Sequence, residues 1–375
     1  MSTIAIIIAT IIPLVFLYLI YTRDLYGTGA FRYVIYCFFW GAAAYVLAAY
    51  VNTWVEGTGL VTRLQVVRYT APVAEEILKA LILIYLVRRP QFTYFVDGAI
   101  YGFAIGIGFA VFENYQYIGN FPTEALGVAI SRVLSTNLMH ATASAIVGIA
   151  MGLSRFQRSS GRVVLLVIGL GIAMSLHIGF NTMTSQENVN ILLVLIYAVS
   201  VGIGGMGMIT LAIKRGLAEE KTWIQETLGA ADRVTEEEAQ VVYRLEDINQ
   251  ILAPLAERFG SKKAEQIERF LTIQARLGIL RKTLEKLQDE KLKQDARKEM
   301  SELQQEMDIA RREVGTYAMM YLRSIFPDDD DELWGQLSGA IDAHIAAHPT
   351  APGGGLWAKL EQREQSAGDV SRRNG

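Results

Sequence analysis

Seven stretches of the chain are apolar over roughly 20 residues each, the length a helix rising about 1.5 Å per residue needs to cross about 30 Å of hydrocarbon. They run Thr3–Tyr21, Tyr33–Val51, Val66–Val87, Tyr94–Ile118, Leu126–Leu153, Val163–Met183 and Ile191–Ile213. The fold class this implies is all-α: a polytopic membrane bundle of about seven transmembrane helices with a soluble helical region after it. The first stretch lacks a basic leader, is too long for a signal sequence and precedes no clear small-x-small cleavage site, so it reads as a retained helix.

Charge marks the boundary between the two parts. Of 35 Lys/Arg and 38 Asp/Glu, only 11 and 8 lie up to Ile213, leaving 24 and 30 to the remaining 162 residues. The net charge of −3 therefore sums a slightly basic membrane part and an acidic tail, and nothing in it points to nucleic acid. The lone cysteine, Cys37, lies in the second stretch, which excludes an intramolecular disulfide and any Cys-based metal site; packing is its expected role.

Short cytoplasmic loops carry excess Lys and Arg. Arg23 and Arg32 lie in the first loop, Arg88 and Arg89 in the third, Arg155, Arg158 and Arg162 in the fifth, and Lys214 and Arg215 after the seventh stretch. This alternation places the N-terminus outside and the C-terminus in the cytoplasm. Arg63, Arg68 and Arg132, near the outer side, depart from it.

The expected organisation is a transmembrane domain over residues 1–215, a cytoplasmic helical, coiled-coil-like region over 216–326, and a short helix with a disordered tail over 327–375. Thr235 followed by Glu236, Glu237 and Glu238 has the form of a capping box opening a helix toward Phe259, with Gly260 as the break. Leu277, Leu280, Leu284 and Leu287 keep 3-4-3 spacing, and Met300, Leu303, Met307 and Ala310 repeat it, which fits a helical hairpin or a modest coiled coil. After Phe326-Pro327 and the acidic run Asp328–Glu332, a short amphipathic helix is expected over Leu333–Ala347. His344 and His348 are four apart but have no carboxylate in the zinc-protease position between them, and a non-metal role is expected.

Ionisable side chains inside hydrocarbon cost several kcal/mol unless paired, hydrated or functional. Here they cluster. The third stretch carries Glu75, Glu76 and Lys79, the fourth Asp97 and Glu113-Asn114, the fifth His140, the sixth His177 and Asn181. Residues four apart share a helix face, so Glu75 is expected to pair with Lys79 and His177 can meet Asn181, while Glu76 lies about 100° round from Glu75. Asp97 is expected to cap the start of its helix. Gly102, Gly106 and Gly108 and the run Val201–Met206 permit close helix approach.

Alternate helices run in opposite directions, and on that basis Glu75, Glu76, Glu113, His140 and His177 all lie between the outer surface and the midplane, roughly 8 to 20 Å deep. One polar cavity follows, and hydrolysis is the chemistry it supports. A carboxylate in a low-dielectric pocket is a competent base for activating water. Imidazole and carboxamide groups such as His177 and Asn181 can stabilise an oxyanion, or two histidines and a glutamate can bind zinc with one position open. Ser135 and Ser144 are expected to bond their own helix backbone rather than act as nucleophiles.

At these residues the chain resembles the PrsW-type intramembrane proteases, relatives of the CAAX-protease and Abi superfamily. The matching elements are Glu75-Glu76-x-x-Lys79, then Asp97-Gly98-x-x-Tyr101-Gly102 leading to Gly108-Phe109-Ala110-x-x-Glu113-Asn114, then His140-Ala141, and His177 with Asn181. They span about residues 66–184. Where the wider superfamily has histidine, this chain has Glu113, as in the PrsW branch, leaving its role open between ligand, base and hydrogen-bond partner. The resemblance implies cleavage of a membrane-bound substrate, in the founding bacterial case an anti-sigma factor, in a bacterial plasma membrane. It implies that Glu75 and Glu76 activate water, that His140 and His177 assist or bind a metal, with Zn2+ on His140, His177 and Glu76 as the version to test, and that Asn181 holds the oxyanion. A transporter or channel with a Glu/His proton relay is the alternative from another class, and a scaffold acting through its cytoplasmic helices a third. The cytoplasmic region is expected to gate or recruit, by binding a regulatory protein or by self-association.

Overall fold

The computed structural model describes residues 2–22, 31–89, 92–157, 159–188, 190–228, 234–243 and 248–324. Arg23, Arg158, the expected helix Leu333–Ala347, His344 and His348 lie outside the described residues. Among the described residues every regular element is helical. Six helices are long and apolar enough to cross a membrane: Thr3–Tyr21, Phe31–Gly57, Phe95–Asn120, Ala125–Ser154, Ser160–Thr184 and Leu192–Thr227.

The elements in order begin with α1 (Ser2–Tyr21) and α2 (Phe31–Gly57). The third expected span is helical but composite: α3 (Arg63–Gln65), a π-helical turn (Val66–Thr70) and α4 (Ala71–Leu86). It falls short of the six in apolarity because Arg68, Glu75, Glu76 and Lys79 share it. It still runs back through the bundle. The Tyr33–Tyr101 ring contact at 6.1 Å and the Tyr45–Gln116 hydrogen bond show that α2 and α5 (Phe95–Asn120) run in the same direction, so the chain reverses between them.

α5 is the centre of the bundle: its apolar window is 94% buried, against 22–33% for α1, α2, α8 (Ser159–Thr184) and α9 (Ile191–Thr227). Glycine makes that possible. A Cβ on Gly98, Gly102 or Gly106 would overlap the backbone of Gly148, Ser144 or His140 respectively, so α5 lies directly against the antiparallel α7 (Thr136–Ser154). α1 packs on the far end of α5 and on α6 (Ala125–Leu134) through Ala5, Ala9, Ile118, Ala125 and Ala129. Gly202 and Gly205 of α9 face Leu138 and Thr142 of α7. Val163, Val167, Leu192, Ile203 and Leu211 stand exposed, as lipid-facing side chains do.

Three details differ from the sequence expectation. The fifth span is broken at Ser135, which adopts φ −125, ψ −78 between α6 and α7. The seventh helix does not stop at Ile213, the end of its apolar stretch; Gly216 faces Val96 closely, and α9 continues to Thr227. Of the two forms expected of the leucine seams, the described residues make the helical hairpin and not the coiled coil. α12 (Ser261–Lys286) and α13 (Glu290–Val314) are the arms of an antiparallel hairpin, with Lys263 bonded to the Glu313 carbonyl and Arg269 to Glu306 at 2.9 Å. Leu277, Leu280, Leu287, Leu303, Met307 and Ala310 are buried in the chain's own packing, and Leu284 and Met300 are half-buried.

The chain divides into two compact units, Met1–Thr227 with Gly278–Met300, and Leu228–Leu277 with Ser301–Gly375. In the second, Thr235 caps α10 (Glu236–Tyr243) by accepting from the Glu238 N–H, α11 (Ile248–Phe259) ends at Gly260 with φ +86, and α14 (Thr316–Ser324) follows α13. Buried Glu238 accepts from Gln274 at 2.9 Å and Arg311 at 2.8 Å.

Candidate active site

The π turn before α4 has a local cause. Pro72 has no N–H and cannot donate to a preceding carbonyl, and the Ala71 N–H reaches back five residues to Val66. The Val67 carbonyl, whose π-helical partner would be Pro72, instead accepts from Asn181 Nδ2 at 2.9 Å. Arg68 adds a second tie, donating to the Ser185 hydroxyl at 2.7 Å and carbonyl at 2.9 Å. Together these bonds clasp the start of α4 to the end of α8 and set Glu75 and Glu76 against His177.

Glu76 Oε1 accepts from Lys79 Nζ at 2.7 Å and from the His177 Nδ1–H at 2.9 Å, and all three side chains are almost wholly buried. Lys79 Nζ also donates to His140 Nδ1 at 2.9 Å and lies 4.1 Å from the centre of the Phe109 ring. His140 therefore carries its proton on Nε2 and gives it to Glu113 Oε2 at 3.1 Å. The two imidazoles meet edge to face with centroids 4.7 Å apart. Glu75 stands 3.7 Å from His177 Nε2, with the Asn52 amide 3.5 Å from its other oxygen.

Five expected site residues, Glu75, Glu76, Glu113, His140 and His177, are thus in one cluster with Lys79. The expected pairing is corrected: Lys79 bonds Glu76, three residues away, and not Glu75. Both spacings share a helix face, and His177 decides between them by holding Glu76 on the lysine side. Asn181 does not meet His177; its amide is committed to Val67. Asp97 caps α5 as expected, its Oδ2 accepting from the Thr93 and Tyr94 N–H groups. Ser135 donates to the Ser131 carbonyl at 2.6 Å, the backbone bond expected of it, but Ser144 Oγ, of which the same was expected, is buried with no hydrogen-bond partner.

The sequence reading passed over Arg132. Its Nη2 donates to Glu113 Oε2 at 2.5 Å and its Nε to Asn114 Oδ1 at 2.7 Å. The signal was available, since Arg132 was one of the outer-side arginines that broke the charge alternation.

One ligand atom from each of Glu75, His140 and His177 lies within 4.8 Å of the others, and this Glu/His cluster is capable of coordinating a metal ion. Two observations fit such a group. Glu75 Oε2 and Glu76 Oε2 are buried without a hydrogen-bond partner. His177 gives its Nδ1–H to Glu76 and turns Nε2 toward Glu75, the arrangement that orients metal-binding imidazoles, whereas His140 gives Nε2–H to Glu113 and accepts from Lys79 at Nδ1, so a metal there requires the lysine to withdraw. The donors that converge are those of Glu75, His140 and His177; of Glu76, expected in this set, Oε1 is taken by Lys79 and His177.

No curated protein and no solved structure matches the chain. Residues 29–204 match the PrsW family intramembrane metalloprotease model, which takes in α2, the whole site and the start of α9. That match, together with a Glu/His cluster inside a bundle of membrane-spanning helices, decides for a hydrolase over a transporter or an inactive scaffold. Over residues 29–204 the chain belongs to the PrsW family, and its activity is that of a PrsW-type intramembrane protease.

Proposed function

We propose that Glu75, His140 and His177 hold a zinc ion and that Glu76 takes the proton of the attacking water as a peptide bond in a single-pass membrane protein is cleaved. The observation that carries the reading is the convergence of the three donors within 4.8 Å. Zinc on two histidines and a glutamate, with one position open, supplies Lewis acidity and lowers the pKa of bound water.

The chain's own groups do the rest. Glu76 Oε1 is fixed by Lys79 and His177, and Oε2, buried and without a partner, is the atom to which the water proton goes. The same proton passes to the leaving nitrogen when the amide bond breaks, so the balance is one water consumed for one carboxylic acid and one amine. Glu113 orients His140. An oxyanion role for Asn181 requires that it leave Val67; its bond there favours positioning of α4 instead.

We place the enzyme in a bacterial plasma membrane with its N-terminus outside and its C-terminal helices in the cytoplasm. Exposed Arg88, Arg89, Lys214 and Arg215 on the inner side support this. An anti-sigma-like substrate and a regulatory partner or second copy for the cytoplasmic helices complete the proposal. Co-expression with a tagged single-pass substrate tests it: the reading fails if Glu76→Gln and His177→Ala both leave processing intact. Protein purified without bound metal, whose activity also resists chelators, would remove zinc from the account.

A further inference from the structure

We infer that Arg132 is a positioning residue of the active site, fixing His140 by way of Glu113; this rests on the reading that His140 works at the site. Arg132 sits near the end of α6, its side chain 12% exposed, and reaches three residues of α5. It donates to Glu113 and to Asn114, and its guanidinium lies 3.8 Å from the centre of the Tyr117 ring. Two routes lead onward to α7. Glu113 Oε2, held by Arg132, accepts from His140 Nε2, and Asn114, held by the same guanidinium, donates to Asn137 Oδ1 at 2.9 Å, one turn before His140.

The break at Ser135 gives these bonds their importance. A continuous helix would set the direction of α7 through its own backbone, but at Ser135 the chain leaves helical geometry only five residues before His140. The first turn of α7 is then held by side chains, and Arg132 is where both routes start. A lysine could neutralise Glu113, but it lacks the planar fork that serves two neighbouring acceptors at once. Asn137 Nδ2 is buried with no hydrogen-bond partner, so the bond from Asn114 is what fixes this side chain, beside the packing of Gly106 and Gly202 on the same stretch.

The test uses the full chain in lipid vesicles as wild type, Arg132→Lys, Arg132→Gln, Glu113→Gln and the Arg132→Gln/Glu113→Gln double variant. The readouts are kcat and KM on a single-pass reporter, zinc affinity by competition with a chelator, and thermal melting. Arg132→Gln is expected to lower kcat and zinc affinity about 10- to 100-fold, as loss of an outer partner does, with KM within about twofold. Arg132→Lys recovers part of this at an unchanged melting temperature. The double variant loses clearly less than the product of the two single losses, because part of the arginine's effect passes through that carboxylate and only the Asn114 route is left to lose. The inference is overturned if the two single losses multiply in the double variant, or if Arg132→Gln keeps wild-type kcat and zinc affinity. Should Arg132→Gln not fold, Arg132→Lys at wild-type kcat and zinc affinity overturns it equally. Wild-type protein that binds no zinc refutes the zinc reading, and the kcat comparison then decides the role of Arg132 alone.

Discussion

Replacing Lys79 by methionine removes the ammonium from Glu76 and His140 while keeping the length of the side chain. Lys79 and Glu76 are each 1% exposed and their charged atoms are 2.7 Å apart. At an effective dielectric constant of about 20 that separation corresponds to about 6 kcal/mol of attraction, much of it offset by the desolvation of both charges. Removing only one partner forfeits the attraction and leaves the desolvation standing, so Lys79→Met is expected to destabilise by about 3–5 kcal/mol. Lys79→Met/Glu76→Gln should then lose less than Lys79→Met alone, because a neutral carboxamide at position 76 carries no unpaired charge and can still bond His177. Lys79→Met/Glu75→Gln should show no such recovery, since Glu75 does not touch the lysine. Reversible unfolding in mixed detergent micelles, followed by far-UV circular dichroism, supplies all four free energies. Recovery by Glu75→Gln instead of Glu76→Gln would restore the pairing read from i,i+4 spacing and refute the one described above.

The remaining predictions concern catalysis and packing. Glu76→Gln should retain bound zinc while losing about 10²–10⁴-fold in kcat, the usual contribution of a general base, whereas His177→Ala should lose the metal itself; metal analysis beside a reporter assay separates the two. Treatment with a strong chelator should abolish cleavage, and added zinc should restore it. Gly102→Leu drives a side chain into the Ser144 carbonyl on α7 and should cost at least about 1–3 kcal/mol in the same micelle unfolding assay, while Gly171→Leu, with no neighbour within 4 Å, serves as the neutral control. Glu238→Ala strips buried Gln274 and half-buried Arg311 of a shared acceptor and should lower the stability of the second unit by about 3–5 kcal/mol, visible as faster limited proteolysis after Leu228.

How much was legible depended on whether local chemistry decided the outcome. Six spans could be read from length and apolarity because hydrocarbon imposes both. The site could be read because four successive spans each placed an acid or a histidine at a similar depth, and tertiary packing had only to bring them together. The close approach of α5 to α7 was also visible, since glycine has few other uses inside a membrane helix. The break at Ser135 was not visible, for no proline or glycine adjoins it. The full length of α9 was not visible in apolarity, which stops near Ile213, and the helix formers after Gly216 carry the helix on to Thr227. The choice of Glu76 over Glu75 by Lys79 lay beyond any one-helix argument, because it is made by His177 from another helix.

The outer-side arginines show how an exception to a statistical rule can carry structural information. Loop-charge asymmetry concerns basic groups that face water near the membrane, and it weakens wherever an arginine has a fixed partner. Each exception has one: Arg63 pairs with Glu56 at 3.1 Å, Arg68 bonds Ser185, and Arg132 bonds Glu113 and Asn114. The converse holds on the other side. Arg155 counts toward the inner positive charge, yet it is 2% exposed and donates to the Val87 and Arg89 carbonyls, so it holds a loop and presents no charge to lipid headgroups. The asymmetry that bears on orientation therefore resides in Arg88, Arg89, Lys214 and Arg215, whose side chains are exposed. Of the three outer exceptions only Arg63 is largely exposed, with 79% of its side chain accessible, and it sits farthest from the site chemistry in the bonding pattern; the two more enclosed ones are those that clasp α4 to α8 and α6 to α5. An arginine that breaks the charge alternation within a predicted span is thus a reason to look for a buried acceptor nearby, and here that search leads to the helices that carry Glu75, Glu113 and His177.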